Sequence, residues 1–169
     1  MSQITSRLLS PRGINLLGFL ACVAAMAAAL YLQHAEDLEP CPLCVFQRVA
    51  VIGAGLFFLL AALHNPGATG QRLYNVLAAL SAIGGAIVAG RHIWLQNLPA
   101  DEVPACGPGL DYMIDVFPMQ EMLRMVFSGS GECAEIDWTF LGITIPQLAM
   151  ITFAGLLVLA LFQILRRYR

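Results

Sequence analysis

The sequence predicts an all-α integral membrane protein, a four-helix transmembrane bundle forming one domain over residues 1–169. Composition is the first observation: 59% of the residues are apolar and 12% are charged, whereas a soluble domain carries about 25% charged residues. The mean hydropathy is +0.74. Four windows approach the length of about 20 apolar residues that crosses a bilayer. Residues 49–63 and 149–165 contain no charge at all, which argues against a soluble helical bundle.

The four predicted spans are residues 14–33, 45–63, 73–90 and 147–165. The first follows Arg7 and Arg12, and its apolar run of about 19 residues is longer than the 7–15 of a signal peptide. We therefore expect an uncleaved helix, with a cleaved signal as the alternative. The third span is the weakest, because it contains Asn75 and Ser81. Its glycines and alanines predict close helix packing.

Two outer loops are predicted, at residues 34–44 and 91–146. Residues 119–127 of the second loop have a helical pattern, which predicts a short helix lying in the membrane interface. Pro99, Pro104 and Pro108 predict an extended segment around Cys106.

The arginines predict the orientation of the bundle. One side of an even-numbered bundle receives most of them: Arg7, Arg12, Arg72, Arg166, Arg167 and Arg169. Positive charge marks the cytoplasmic face, so we expect both termini in the cytoplasm. The two outer loops hold all eleven acidic residues. In a bacterium these loops would face the periplasm, which places the protein in the inner membrane.

Four of the five cysteines fall on the outer side: Cys41, Cys44, Cys106 and Cys133. Disulfides form and persist in the periplasm, so this distribution indicates redox chemistry. Static structural disulfides are an alternative. The 26 residues between Cys106 and Cys133 do not suit a zinc knuckle, and we expect no metal. Cys22 lies within the first span and is expected to be a small buried apolar residue.

The segment PCPLCVFQR, residues 40–48, stands at the start of the second span. Free N–H groups and the helix dipole there favour a thiolate at Cys44. Arg48 lies four residues on, on the same helical face. It either pairs with that charge and a polar ligand or extends to the lipid headgroups. A thiol pair at the bilayer surface is well placed to exchange electrons with a lipid-soluble quinone.

His92 is predicted at the outer end of the third span, beside Trp94. Interfacial residues are common at this depth, so the residue pattern alone leaves its role open. Gln96 lies one turn further on and is a second candidate for the same site.

Three segments carry a family resemblance: PCPLCVFQR at residues 40–48, RHIWLQ at 91–96 and GECAEIDWTFLGITIPQ at 131–147. Together they resemble the DsbB family of bacterial disulfide bond formation proteins along almost the whole chain. The resemblance implies that Cys41, Cys44, Cys106 and Cys133 are the redox cysteines. It also implies that Arg48 and His92 serve a quinone, ubiquinone or menaquinone.

The resemblance further implies a relay. A reduced DsbA-type periplasmic oxidase attacks Cys106 of a Cys106–Cys133 disulfide, Cys133 attacks the Cys41–Cys44 disulfide, and Cys44 passes electrons to the quinone. A Cys41–Cys133 resting bridge is an open alternative, and we expect no nucleic-acid partner. Two rival functions remain. One is a structural or transport protein with four spans, whose outer loops are held by purely structural disulfides. The other is a quinone reductase of the vitamin K epoxide reductase type.

Overall fold

Four long α-helices form the framework of the protein in a computed structural model that describes residues 10–99, 101–107 and 110–167. They are α1 (Pro11–Ala35), α2 (Pro42–His64), α3 (Ala68–Gln96) and α6 (Ile145–Leu165). All four are long and apolar enough to cross a membrane. The predicted all-α, four-helix membrane fold is therefore confirmed. Arg7, Pro108 and Arg169, used in the sequence argument, lie outside the described residues.

The third helix differs most from its predicted span. The sequence placed its end at residue 90, but α3 continues to Gln96. Arg91 and His92 are therefore helical and do not lie in the outer loop. The charge at Arg91 does not end the helix, because its guanidinium donates to the carbonyls of Phe127 and Ser128 and stacks on Trp94.

The helices pack in the ring order α1, α2, α3, α6, with α6 closing back on α1. Glycines allow the closest approaches between them. A Cβ on Gly85 of α3 would lie 2.2 Å from the Phe153 ring of α6. The outward faces remain apolar, as at Ile52 and Ile87, which are 58% and 64% exposed. Apolar surface of this extent on four long helices is suited to lipid.

A buried polar network joins the helices at the end remote from the outer cysteines. The Asn15 amide donates to Gln71 at 2.7 Å, and the Gln71 amide donates to the carbonyl of Ala61 at 3.2 Å. Asn75 donates to the Gln71 carbonyl. Hydrogen bonds of this kind link membrane helices where apolar packing alone has no driving force over lipid.

The second outer loop is more structured than predicted. It contains α4 (Leu110–Val116), α5 (Met119–Ser128) and a 3₁₀ turn (Gly131–Cys133). An antiparallel pair follows, β1 (Thr139–Phe140) and β2 (Ile143–Thr144). The segment predicted to be a short helix, residues 119–127, is helical as α5. Met122 and Val126 turn inward from α5 onto Leu43 and Leu95, so this loop covers the outer ends of α2 and α3.

Candidate functional site

The start of α2 holds the first cysteine pair. Cys41 is the residue that precedes the helix, and Pro42 occupies its first position. Proline suits that position because it lacks the N–H group that a helix start leaves unpaired. The turn brings the Cys41 thiol within 3.4 Å of the Cys44 sulfur, to which it donates a hydrogen bond. Both sulfurs are partly buried and free in this structure.

His92 reaches this pair from α3. Its Nε2 lies 3.9 Å from the Cys41 sulfur, and its Nδ1 lies 3.9 Å from the Cys44 sulfur. The ring is 4% exposed, so these contacts are shielded from water. The helix extension beyond the predicted end is what carries His92 over the cysteines.

Gln47 is a site residue to which the sequence analysis assigned no role. It is 5% exposed, and its amide Nε2 donates to His92 Nδ1 at 3.2 Å. This bond leaves Nε2 of the ring to carry the proton toward Cys41. The available sequence signal was its position three residues after Cys44, on the same helical face.

Arg48 is held against α1. One guanidinium nitrogen donates to the Gln33 side chain, and the other donates to the Ala29 carbonyl at 3.2 Å. The side chain is therefore fixed across the gap between α1 and α2. Gln33 is a second residue that the sequence analysis did not identify.

These residues surround one cavity of about 220 Å³. Its apolar wall comes from α1, α2 and α6 and includes Ala25, Met26, Val51, Ala149 and Phe153. Cys41, Cys44, Arg48, His92 and Gln96 all line it, so the structure brings five of the seven predicted site residues together. Gln96 also donates to the Glu135 carbonyl at 3.3 Å, which ties the outer loop to the cavity.

Cys133 packs beside the first pair, in the cluster that contains Cys41 and Leu43. Hydrogen bonding with Cys41, followed by burial, holds the pKa of the Cys133 thiol well above its usual range. Ser130 lies 3.6 Å from the same sulfur and opposes this shift.

Cys106 is the exposed member of the set and does not line the cavity. It lies beside the 3₁₀ turn that contains Cys133, where Gly131 N–H donates to the Ala105 carbonyl at 3.3 Å. The residues around it, 104–107, have no regular secondary structure. One sulfur is therefore accessible to a protein partner while Cys133 contacts Cys41.

The arrangement can support thiol–disulfide exchange along a line of sulfurs from solvent to the membrane. Cys106 lies at the surface, Cys133 is packed in the same cluster as Cys41, and Cys44 faces the cavity with Arg48 and His92. Thiol exchange proceeds by attack of one thiolate on a disulfide sulfur, and adjacent sulfurs are its geometric requirement.

The sequence is similar to known proteins along nearly its full length. The family profile described as "Disulfide bond formation protein DsbB" matches residues 11–163. A "Disulfide bond formation protein B" of Hahella chejuensis is 52% identical over 161 residues, 95% of this chain and 98% of the relative. A protein of the same description from Nitrosococcus oceani is 52% identical over 92% of each chain. One from Acinetobacter baumannii is 50% identical, covering 95% of this chain and 94% of the relative.

Proposed function

This chain belongs to the DsbB family of disulfide bond formation proteins, multi-pass membrane proteins with a disulfide-forming redox role, and we propose that it is a protein-disulfide:quinone oxidoreductase. In this proposal it reoxidises a periplasmic DsbA-type thiol oxidase and passes the electrons to a membrane quinone. The convergence of Cys41, Cys44, His92 and Arg48 on one apolar cavity carries the proposal.

The cavity and its donors fit a quinone head group. Its volume of about 220 Å³ exceeds the roughly 150 Å³ that holds a benzene molecule in an engineered apolar cavity. The two carbonyl oxygens of a quinone need hydrogen-bond donors, and Arg48, His92 and Gln96 supply N–H groups around the cavity. A bound quinone supplies an acceptor for two electrons and two protons.

The cysteines carry out the exchange in balanced steps. A partner thiolate attacks Cys106; the Cys106–Cys133 bond breaks, and Cys133 leaves as a thiolate. Cys133 then attacks Cys41, and the Cys41–Cys44 bond breaks with Cys44 as the leaving thiolate. The partner's second thiol releases Cys106, which attacks Cys133 and restores the outer disulfide. The two electrons now reside on Cys41 and Cys44.

The polar residues of the cavity support the last thiolate pair. Arg48 provides a positive charge one turn from Cys44, and its bonds to α1 prevent it from turning away. His92, between the two sulfurs and hydrogen-bonded by Gln47, is placed to hold or transfer a proton at Nε2. A desolvated ion pair of this kind is strong because little water screens it.

The experiment is quinone reduction by the purified protein with a reduced dithiol partner. Arg48→Ala should raise the apparent quinone KM by about tenfold or more, because a charged hydrogen bond contributes about 1.5–3 kcal/mol. Arg124→Ala is the matched control, since Arg124 is an exposed arginine of α5 outside the cavity. An unchanged KM in Arg48→Ala would remove Arg48 from the quinone site.

The competing function is that of a structural protein whose outer loops are held together by purely structural disulfides. It predicts that Cys44→Ser leaves partner oxidation intact, whereas the redox proposal predicts its loss. The packing of Cys133 in the same cluster as Cys41, across the two cysteine pairs, favours the redox function. A purely structural bridge gains nothing from a third sulfur beside it.

A further inference from the structure

We propose that the reduced cysteine site also binds one thiophilic divalent metal ion, of the zinc or cadmium type, and that this ion blocks thiol exchange. The ligands are Cys41, Cys44 and His92, and the fourth position is open to water. The inference requires only reduced thiols, and it stands whether or not a quinone is the electron acceptor.

The geometry of the three nearest ligands carries the argument. The two sulfurs are 3.4 Å apart, the Cys41 sulfur lies 3.9 Å from Nε2 of His92, and the Cys44 sulfur lies 3.9 Å from Nδ1 of the same ring. Zinc bonds of about 2.3 Å to sulfur and 2.0–2.1 Å to nitrogen imply tetrahedral edges of about 3.8 Å and 3.6 Å. The sulfur–sulfur and Cys41–Nε2 separations differ from these edges by about 0.3–0.4 Å, and the three ligand atoms all lie within 4.8 Å of one another.

The surroundings of the site suit a metal complex. Metal-bound histidine normally has its second ring nitrogen hydrogen-bonded, and the Gln47 amide is 3.2 Å from Nδ1. A half-turn of that amide presents its oxygen to an Nδ1–H group while Nε2 binds the ion.

Charge also favours the ion. Exposed carboxylates line the cavity on its outer side: Glu39, Glu132, Glu135 and Asp137. They raise the local concentration of cations at the entrance. A divalent ion bound by two thiolates and a neutral imidazole carries no net charge. Binding releases the protons of the two thiols to solvent and changes no oxidation state.

The test uses the full-length protein in detergent, reduced with a phosphine and titrated with cadmium alone. Thiolate-to-cadmium absorption in the ultraviolet should show one ion per chain. The same protein oxidised to its disulfide form should show none, and this comparison needs no mutation. Alkylation mapped by mass spectrometry should show that cadmium protects Cys41 and Cys44 but not Cys106.

Variants locate the site. His92→Ala should weaken cadmium binding by more than about tenfold, because even the indirect partners of metal ligands are worth 10–100-fold. Cys22→Ser and His64→Ala are matched controls, since one lies within the bundle and the other at its opposite end. Unaltered binding in Cys41→Ser and Cys44→Ser, or protection of Cys106 in place of Cys41, would overturn the proposal. Circular dichroism checks that each variant is folded.

Discussion

Cys133 is almost completely buried, at 1% exposure, while Cys106 is exposed on the segment beside it. The two neighbouring segments therefore leave one sulfur exposed to solvent and bury the other beside Cys41. This difference in exposure predicts that Cys106 and Cys133 differ in reactivity, although the sequence alone does not distinguish them.

The raised pKa of Cys133 predicts a pH profile. A pKa above the usual value of about 8.5 means that the thiol keeps its proton where an ordinary cysteine has lost it. In the reduced protein, the alkylation rate of Cys133 should keep rising with pH above about 9. Cys41→Ala removes the hydrogen bond that is the largest cause of the raised pKa of Cys133, so it should move the pH profile of alkylation to lower pH. Cys22→Ala should leave it unchanged, and identical profiles for wild type and Cys41→Ala would contradict the assignment.

Gln47→Leu should destabilise the protein by about 1–3 kcal/mol, because it leaves a buried ring nitrogen of His92 without its donor. The measurement is thermal unfolding in detergent. Gln96→Leu is the matched control and should cost clearly less, since its bond to Glu135 is exposed. An equal loss of stability in the two variants would show that the buried Gln47–His92 hydrogen bond stabilises the protein no more than the exposed Gln96–Glu135 bond.

The cysteines could be predicted as site residues because four thiols on one side of a membrane protein are chemically distinctive. Gln33 and Gln47 could not, because a glutamine acquires its role only from what lies opposite. Gln33 accepts a hydrogen bond from Arg48, and Gln47 donates one to His92. Both partners come from other helices, and a single sequence does not specify which helix faces meet.

At the level of helices, α3 and α6 meet through a glycine and an aromatic ring. Gly85→Ala should destabilise the protein by about 1–3 kcal/mol, the usual cost of overpacking, because the new Cβ would lie 2.2 Å from Phe153. Gly84→Ala is the control one residue away, where an added Cβ meets nothing within 4 Å. It should be neutral or stabilising, as alanine is the better helix former. Thermal unfolding in detergent that ranks the two variants in the opposite order would refute this packing.

The elements of the outer loop were harder to predict than the spans. A long apolar run identifies a membrane span in the sequence. In contrast, β1 and β2 are two residues each, too short to show an alternation of apolar and polar residues. Their turn depends on positive φ at Leu141 and Gly142, 52° and 82°, and leucine is not a usual residue there. The end of α3 was missed because the Arg91 contacts that support it come from α5.

At the scale of the whole molecule, the fold separates two chemistries along the bundle axis. One end carries the sulfurs and the cavity, and the other carries the amide network of Asn15, Gln71 and Asn75. The proposed electron relay requires the sulfur end to face the compartment of the proposed thiol partner. Orientation therefore decides whether the proposed function is possible.

Labelling tests the orientation directly. Positive charge favours a cytoplasmic location for Arg72 and the end of α6, and so for the α2–α3 connection. Gly67→Cys places a thiol at an exposed, uncrowded position of that connection. In reduced intact spheroplasts, a membrane-impermeant maleimide should label Cys106 and leave the residue introduced at position 67 unlabelled until the membrane is permeabilised. A permeant maleimide should label both, which shows that each is reactive. The reverse pattern would place the sulfur end in the cytoplasm, where thiols are kept reduced, and would exclude a role in periplasmic oxidation.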